Sequence, residues 1–264
     1  MPRPLPPPKP KFGWRMLLRL VVWTGVLCGV AWGSLEMSSF MGDDPRFDLQ
    51  CSATAPACPG LEIRGAVYAD RARIQSVFEP DFGASVFHIP LAERRRHLLA
   101  IGWVRTAAVS RVWPSRIVVT ITERSPVAFA KLPIGGGARY GFLLIDGDGV
   151  LLSIPPRARF RFPVLDGVTE NETEAARAVH VNAMQRVLKD LGPRAKDISE
   201  VNASDPLEVR LITELDGHGV ELLVGDRNYR TRYMNFLNHY GEIRKHSAEA
   251  TVFDLRMDDR ILAK

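Results

Sequence analysis

Apolar and polar positions alternate most regularly between residues 104 and 123. Ile117, Val119 and Ile121 share one side of an extended segment, and the residues between them share the other. A period of two in a run rich in β-branched residues predicts a strand. Trp113–Arg116 interrupts the pattern, and its proline cannot donate to a strand ladder. We therefore predict a hairpin of two strands, Val104–Val112 and Ile117–Glu123, that completes a small domain.

One strand pattern and two helical patterns precede this hairpin. Leu61–Val67 alternates, Asp70 is a suitable N-cap for a helix, and Leu91–Ile101 predicts a second helix between a proline and a glycine. The charged residues of the second helix, Glu93–Arg96, are interpreted as a solvated face. The order is β-α-α-β-β, with one face of the sheet covered by two helices.

The pattern beyond residue 126 predicts a second region of strands and two helices. Helix Glu172–Leu191 carries an apolar stripe of Ala176, Val179, Ala183, Val187 and Leu191, and helix Asn228–Lys245 carries one of Tyr229, Tyr233, Phe236, Tyr240 and Ile243. The Asp-Gly pairs of Asp146–Gly149 predict a hairpin turn. Strands are predicted at Val127–Leu132, Phe142–Ile145, Val150–Leu152, Ile198–Asn202, Leu207–Thr213, Val220–Val224 and Ala250–Met257, with a very short last strand within Arg260–Lys264.

An apolar run near the N-terminus predicts a membrane helix. Leu20–Leu35 contains no charged residue, and with Met16–Leu18 it approaches the ~30 Å thickness of a hydrocarbon core. Arg15 and Arg19 are placed to extend to the headgroups. We predict an uncleaved anchor over residues 15–36. The alternative is a signal peptide, with which the small residues Gly33–Ser34 are weakly compatible.

The net charge of +5 comes entirely from the first 19 residues. The five basic residues that precede every acidic residue account for the excess: Arg3, Lys9, Lys11, Arg15 and Arg19. Basic residues favour the cytoplasmic side of a membrane, so residues 1–14 are predicted to be a cytoplasmic tail and the remainder extracytoplasmic. A neutral body argues against a nucleic-acid-binding face.

The three cysteines do not form a metal-binding pattern. Cys51 and Cys58 lie in a short segment rich in Ser, Ala, Pro and Gly, which suits a disulfide in an oxidising compartment. Two unrelated free thiols are the alternative. Cys28 is alone in the apolar run and is expected to pack there. No metal site is predicted.

No motif of a known catalytic site is recognisable. The histidines are scattered at His88, His97, His180, His218, His239 and His246, and none belongs to a zinc-protease motif. A nucleophile elbow and a phosphate-binding loop are also missing from the sequence. We predict that the protein is not an enzyme and uses no cofactor.

Two segments of the chain resemble those of a known protein family. Trp103–Pro114 and Glu123–Ala128 resemble the segments that end the POTRA domain and open the β domain in the bacterial cell-division proteins of the FtsQ/DivIB family. The similarity extends over most of the chain, from Arg15 to Arg260. The prediction is an α+β protein with a single transmembrane helix, a linker over 37–59, a POTRA domain over 60–125 and a mixed β-sheet domain with two helices over 126–264.

The resemblance implies a scaffold in septum assembly at the bacterial inner membrane. In the family, the end of the β domain takes up FtsB/FtsL-like partners, and the POTRA domain contacts other divisome proteins. The chain ends soon after its last predicted strand, so we expect an open sheet edge to which a partner strand adds. The matching segment supplies the predicted partner-binding residues: Met257, Asp259, Arg260, Ile261 and Leu262.

Two other classes of function are alternatives. A POTRA-containing outer-membrane assembly or transport factor commonly has tandem POTRA units, whereas this sequence predicts one unit after an anchor. An anchored cell-wall hydrolase requires a cleft with paired acids or a metal triad, and the sequence offers neither pattern.

Overall fold

The computed structural model describes residues 13–51, 58–134, 139–258 and 260–263. Its chain forms two compact units. The first comprises Met1–Arg64, Ala72–Arg96 and Ala108–Thr120, and the second comprises Gly65–Arg71, His97–Ala107 and Ile121–Lys264.

The helices are α1 (Trp14–Asp43), α2 (Arg71–Ser76), α3 (Leu91–Leu99), α4 (Glu174–Leu191) and α5 (Tyr229–His246). The strands are β1 (Leu61–Arg64), β2 (Val104–Val112), β3 (Arg116–Glu123), β4 (Pro126–Ile134), β5 (Arg139–Asp146), β6 (Leu151–Leu152), β7 (Val164–Asp166), β8 (Ile198–Asn202), β9 (Val209–Leu215), β10 (His218–Gly225), β11 (Val252–Asp254) and β12 (Leu262–Ala263). The predicted α+β class is confirmed, and the predicted helices and strands occur in the predicted order; β7 is an additional strand that the sequence pattern did not predict.

Helix α1 is longer than the predicted anchor. It continues past residue 36 to Asp43, and Asp44 is already extended, with φ −82° and ψ 119°. Pro45 follows, and a proline disfavours the helical conformation of the residue before it. Part of the predicted linker is therefore helical.

The smaller sheet has the strand order β1-β3-β2, with β1 parallel to β3 and Leu61 opposite Ile117. Strand β1 ends earlier than predicted, because Gly65 turns the chain at a φ of +81°. The core of the first unit contains side chains from both helical and strand segments: Leu49, Ile74, Phe78, Val86, Ile89, Ile117 and Val119.

One residue of the predicted solvated face is buried. Arg94 in α3 pairs with the buried Asp81, with 2.6 Å between Arg94 Nε and Asp81 Oδ2. A second hydrogen bond joins Arg94 Nη2 to Asp81 Oδ1 at 2.9 Å. The interpretation of Glu93–Arg96 as a solvated face is therefore wrong for Arg94, because a carboxylate distant in sequence satisfies its charge.

The larger sheet has nine strands in the order β12-β11-β10-β9-β8-β7-β4-β5-β6. Side chains of α4 and α5 pack into one core with alternate residues of its strands. The predicted stripe of α4 is partly wrong: Val179 is exposed, and the buried Arg177 lies on the inner face instead. Arg177 is accommodated because its guanidinium donates to the carbonyl oxygens of Gly149 and Glu172.

The predicted Asp-Gly turn joins β5 to β6. Asp146 Oδ1 accepts hydrogen bonds from the backbone N–H groups of Asp148 and Val150, at 3.0 and 2.9 Å. Gly149 has a φ of +81°, and a Cβ there would lie 2.1 Å from the carbonyl oxygen of Glu174. The turn therefore requires glycine at this position both for its conformation and for space.

Candidate partner-binding edge

Strand β12 lies at one end of the nine-stranded sheet. It pairs antiparallel with β11, where Phe253 is opposite Ala263 and Asp254 is opposite Leu262. Strand β11 in turn runs parallel to β10. Among the described residues no strand pairs with the outer side of β12. This side therefore presents main-chain groups at the edge of a sheet.

The aromatic stripe of α5 holds β11 in place. Phe253 is fully buried, and its ring centroid lies 5.0 Å from that of Phe236 and 6.4 Å from that of Tyr240. Tyr233 packs in the same core. Because the predicted stripe of α5 meets a buried residue of β11, the inner neighbour of β12 is fixed by side-chain packing.

Arg232 of α5 fixes the segment between β11 and β12. Its side chain is almost fully buried, and its Nε donates to Asp258 Oδ1 at 2.8 Å. Its two terminal nitrogens donate to the carbonyl oxygens of Val224 and Arg256, at 2.8 and 2.7 Å. One guanidinium therefore connects a helix, strand β10 and the connecting segment.

Sequence reasoning missed Arg232 as a positioning residue. It follows the buried Tyr229 by three positions, a spacing that places both residues on the same helical face. That spacing was a usable signal, because a charged residue on an apolar face requires partners from elsewhere in the fold.

A second arginine organises the same segment from the outside. Arg256 Nη2 lies 2.7 Å from Asp254 Oδ2, and Arg256 Nη1 lies 3.0 Å from Glu208 Oε1. The hydrogen bonds that Arg256 donates to Asp254 raise the pKa of Arg256. The hydrogen bond from Arg232 lowers the pKa of the Asp258 carboxyl below its ordinary value of 3.8. Both shifts favour the charged forms, so the segment is held by ion pairs at neutral pH.

The structure brings four of the five predicted partner-binding residues to this edge. Met257, Arg260 and Leu262 are exposed. Ile261 is half-buried and packs against the core. Asp259 lies outside the described residues. The predicted short last strand is Leu262–Ala263, within the predicted range.

An open groove lies beside the edge, between α5 and the C-terminal segment. Its volume is about 550 Å³. The lining combines apolar side chains with uncharged amides and charged groups: Met234, Leu255, Met257 and Ile261, Asn235 and Asn238, and Arg230 and Asp258. Such a lining can accept a mixed polar and apolar segment of a partner.

The two predicted cysteine partners are close in the first unit. The structure joins the sulfur atoms of Cys51 and Cys58, with 4.7 Å between the Cα atoms. This separation lies within the range of disulfides. Cys28 is a free cysteine on the surface of α1. In the described parts of the chain, no group of three or more His, Cys, Asp or Glu side chains is arranged to hold a metal ion.

The N-terminal helix has the properties of a membrane span. Met16–Met37 forms 22 residues that are long and apolar enough to cross a membrane, and none of this stretch is buried inside the protein. It is the one such helix in the part of the chain that the structure describes.

Comparisons with known proteins agree with these features. Residues 60–124 match the model of the POTRA domain, FtsQ-type. The cell division protein FtsQ of Koribacter versatilis is 32% identical over 264 residues, which cover 97% of this chain and 72% of that protein. Corresponding proteins of Syntrophotalea carbinolica and Novosphingobium aromaticivorans are 20% and 27% identical, covering 93% and 91% of this chain and 88% and 69% of their own lengths. By this similarity the chain belongs to the FtsQ family of bacterial cell division proteins.

Proposed function

We propose that the protein is a non-enzymatic scaffold of the divisome that recruits FtsB/FtsL-like proteins by pairing a partner strand with β12. The observation that carries this proposal is the outer side of β12, to which no strand of the described chain is added. Main-chain groups at such an edge bind an incoming strand with little dependence on its sequence.

The surroundings of β12 support strand addition rather than accidental exposure. Leu262 is 41% exposed, whereas Phe253 on the neighbouring strand is fully buried. The edge is thus attached to a rigid inner strand while its own side chains stay accessible. A pre-organised acceptor binds more tightly because less conformational entropy is lost on association.

The groove beside α5 supplies a second element of recognition. Side chains of an added strand alternate between the two faces of the sheet. Met257 and Ile261 line the groove next to the edge. We propose that residues flanking the partner strand enter this groove, and that the apolar lining gives the interaction its selectivity.

The proposed topology is a single-pass inner-membrane protein with a cytoplasmic N-terminus. It rests on the apolar helix Met16–Met37 and on the basic residues before it. We propose a POTRA domain over 60–125 that meets other divisome proteins at the septum, and a β domain over 126–264 that meets the FtsB/FtsL-like pair. Protease added to spheroplasts should digest the chain beyond Ser38, and complete protection would reverse this orientation.

The proposed loop closure between Cys51 and Cys58 belongs to the same topology, because disulfides persist in an oxidising compartment. Mass spectrometry of the non-reduced protein should find the two cysteines joined in one peptide pair. Free thiols at both positions in protein taken from the membrane would contradict the proposed disulfide.

The decisive experiment changes Ile261, the residue that immediately precedes β12. Ile261→Pro should abolish binding of the FtsB/FtsL-like pair to the full chain in detergent, because proline has no N–H and disrupts the adjoining strand. Ile261→Val is the matched control. It keeps the N–H and most of the side chain, so its affinity should stay close to that of the unchanged protein.

Two results would contradict the proposal. Unchanged affinity of Ile261→Pro would show that strand addition at β12 is not used. An equal loss in both variants would assign the interaction to the isoleucine side chain instead. Thermal unfolding of each variant should accompany the binding measurement, so that a global loss of structure is recognised.

A further inference from the structure

An aromatic cluster of the first unit is exposed to solvent immediately after the membrane helix. Trp113 in the turn between β2 and β3 is 58% exposed, and Phe40 near the end of α1 is 52% exposed. Exposed tryptophan is unusual on a soluble surface, because burying its large ring contributes strongly to stability. These two residues therefore require an explanation beyond folding.

The two exposed rings belong to one packed cluster. Phe47 is buried between them, with its ring centroid 6.2 Å from that of Phe40 and 5.2 Å from that of Trp113. Phe87 completes the cluster, 4.9 Å from Trp113. The turn that carries Trp113 is thereby connected through one ring to the last residues of α1.

An open groove of about 650 Å³ adjoins the same cluster. Phe40, Phe47 and Pro114 give it an apolar lining, while Gln50 and Arg46 give it a polar rim. The Arg46 guanidinium lies 5.9 Å from the centroid of the Phe40 ring and pairs with Asp44. An apolar lining with a charged rim suits the boundary between acyl chains and headgroups.

The length of the membrane helix places this cluster at that boundary. The 22 residues of Met16–Met37 form a helix of about 33 Å, close to the ~30 Å thickness of a hydrocarbon core. Phe40 follows three residues later, or ~4.5 Å along the axis. This distance lies within the headgroup layer, where Trp and other aromatic residues are enriched.

We infer that Phe40, Trp113 and the adjoining groove form a lipid-binding collar that rests in the outer leaflet of the membrane spanned by α1. The collar gives the first unit a second attachment to the bilayer besides the helix itself. This inference rests on α1 being a membrane span with the cytoplasmic N-terminus proposed above, and it is independent of strand addition at β12. It assigns to Trp113 a contact with phospholipid rather than with protein.

The test measures the fluorescence of Trp113 in the full chain reconstituted in nanodiscs of phosphatidylethanolamine and phosphatidylglycerol. Trp113→Phe keeps an aromatic ring, so the difference between the two proteins isolates the emission of Trp113. With lipids brominated near the glycerol end of the acyl chains, we expect this emission to lose most of its intensity. Bromine near the chain ends should quench it less, because the collar lies at the interface.

A pair of substitutions links the quenching to the collar. Phe40→Glu introduces a charge into the apolar surface and should restore part of the Trp113 emission. Val67→Glu is the control, since Val67 is also an exposed apolar residue, at 77%, but belongs to the other compact unit. Val67→Glu should therefore leave the quenching of Trp113 unchanged.

Each alternative outcome overturns the inference. Trp113 emission that bromolipids leave unchanged and aqueous iodide quenches would place the residue in water. Emission that resists both quenchers would mean that a protein surface, such as a second copy, covers it. Trp23 within α1 reports on the membrane span itself. If bromolipids also leave the remaining emission of Trp113→Phe unquenched, both the membrane span and the collar are contradicted. Strand addition at β12 is tested separately by its own binding experiment.

Discussion

The two edges of the nine-stranded sheet look alike in strand length and differ in burial. Each ends in a strand of two residues, β6 (Leu151–Leu152) at one side and β12 (Leu262–Ala263) at the other. Leu152 is 1% exposed, whereas Leu262 is 41% exposed. A short strand at a sheet edge can therefore be either part of the core or an accessible surface.

Side-chain anchors account for the difference. Leu152 is opposite the fully buried Leu144, and the residue after it, Ser153, accepts a hydrogen bond from the indole N–H of Trp103 at 2.9 Å. At the other edge, the anchors lie one strand further in and in the connecting segment, at Phe253 and Arg232. Strand β6 is fixed by its own side chains, and β12 is fixed through its neighbours.

The accessibility of a sheet edge therefore depends on which strand carries the buried side chains. An edge strand with buried side chains is covered by its own core contacts. An edge strand held from behind keeps both its main chain and its side chains available, which is the arrangement that strand addition requires.

The largest expected effect is the difference in stability between substitutions of Leu152 and of Leu262. Leu152→Ala should reduce the free energy of unfolding by about 2–5 kcal/mol, because it leaves a cavity in a packed core. Leu262→Ala should cost less than ~1 kcal/mol, since its side chain is largely in water. Urea unfolding of the full chain in detergent measures both, and equal losses would show that β12 is as integral to the core as β6.

A smaller effect is expected at the arginine that positions the connecting segment. Arg232→Ala leaves the carbonyl groups of Val224 and Arg256 without their donor and should cost about 1–3 kcal/mol. Arg227→Ala removes an exposed arginine and should change stability by less than ~0.5 kcal/mol.

Hydrogen exchange in the same two variants shows where the loss occurs. Arg232→Ala should speed exchange in the segment from residue 255 to 263 and leave β6 unchanged. Equal acceleration at both edges would mean that Arg232 supports the whole sheet rather than this edge alone.

The smallest expected effect is the pH dependence of the same segment. The hydrogen bond from Arg232 lowers the pKa of Asp258 in the folded protein, so the ion pair contributes fully above the ordinary value of 3.8 and is lost as the pH falls through the lower folded value. Asp258→Asn should shift the unfolding midpoint at neutral pH and converge with the unchanged protein at the lowest pH. A difference that stays constant across this range would contradict the assignment.

Local pattern predicted the elements of this molecule well. Val104–Val112 was predicted with the bounds that the structure gives, and Ile198–Asn202 likewise. The aromatic stripe of α5 also lies in the core as expected, with Ile243 at its partly buried end. These features were accessible because a period of two or of 3.6 residues is set by the backbone geometry itself.

Features that depend on distant partners were not predictable. Arg94 and Arg177 were not expected inside, because Asp81 and the carbonyl groups that satisfy them lie far away or in loops. The end of β1 is a similar case. Glu123 Oε1 accepts hydrogen bonds from the backbone N–H groups of Val67, Tyr68 and Ala69, at 2.7–2.8 Å, which holds these residues in a loop rather than a strand.

The candidate partner-binding edge also combines features that the sequence predicts with features that only the fold shows. Its place in the chain followed from family resemblance, from the alternation of Ala250–Met257 and from the very short last strand predicted within Arg260–Lys264. The partners of its supporting residue, Arg232, became visible only with the fold.

The sequence by itself determined the membrane helix, the order of the helices and of every strand except β7, and the apolar faces that form the cores. Only the tertiary structure decided which charged groups are buried, which of two equally short strands is an accessible edge, and which aromatic rings meet beside the membrane helix. The physical reason is that hydrophobic periodicity is local, whereas burial of a charge or exposure of an edge depends on groups that folding brings together from distant parts of the chain.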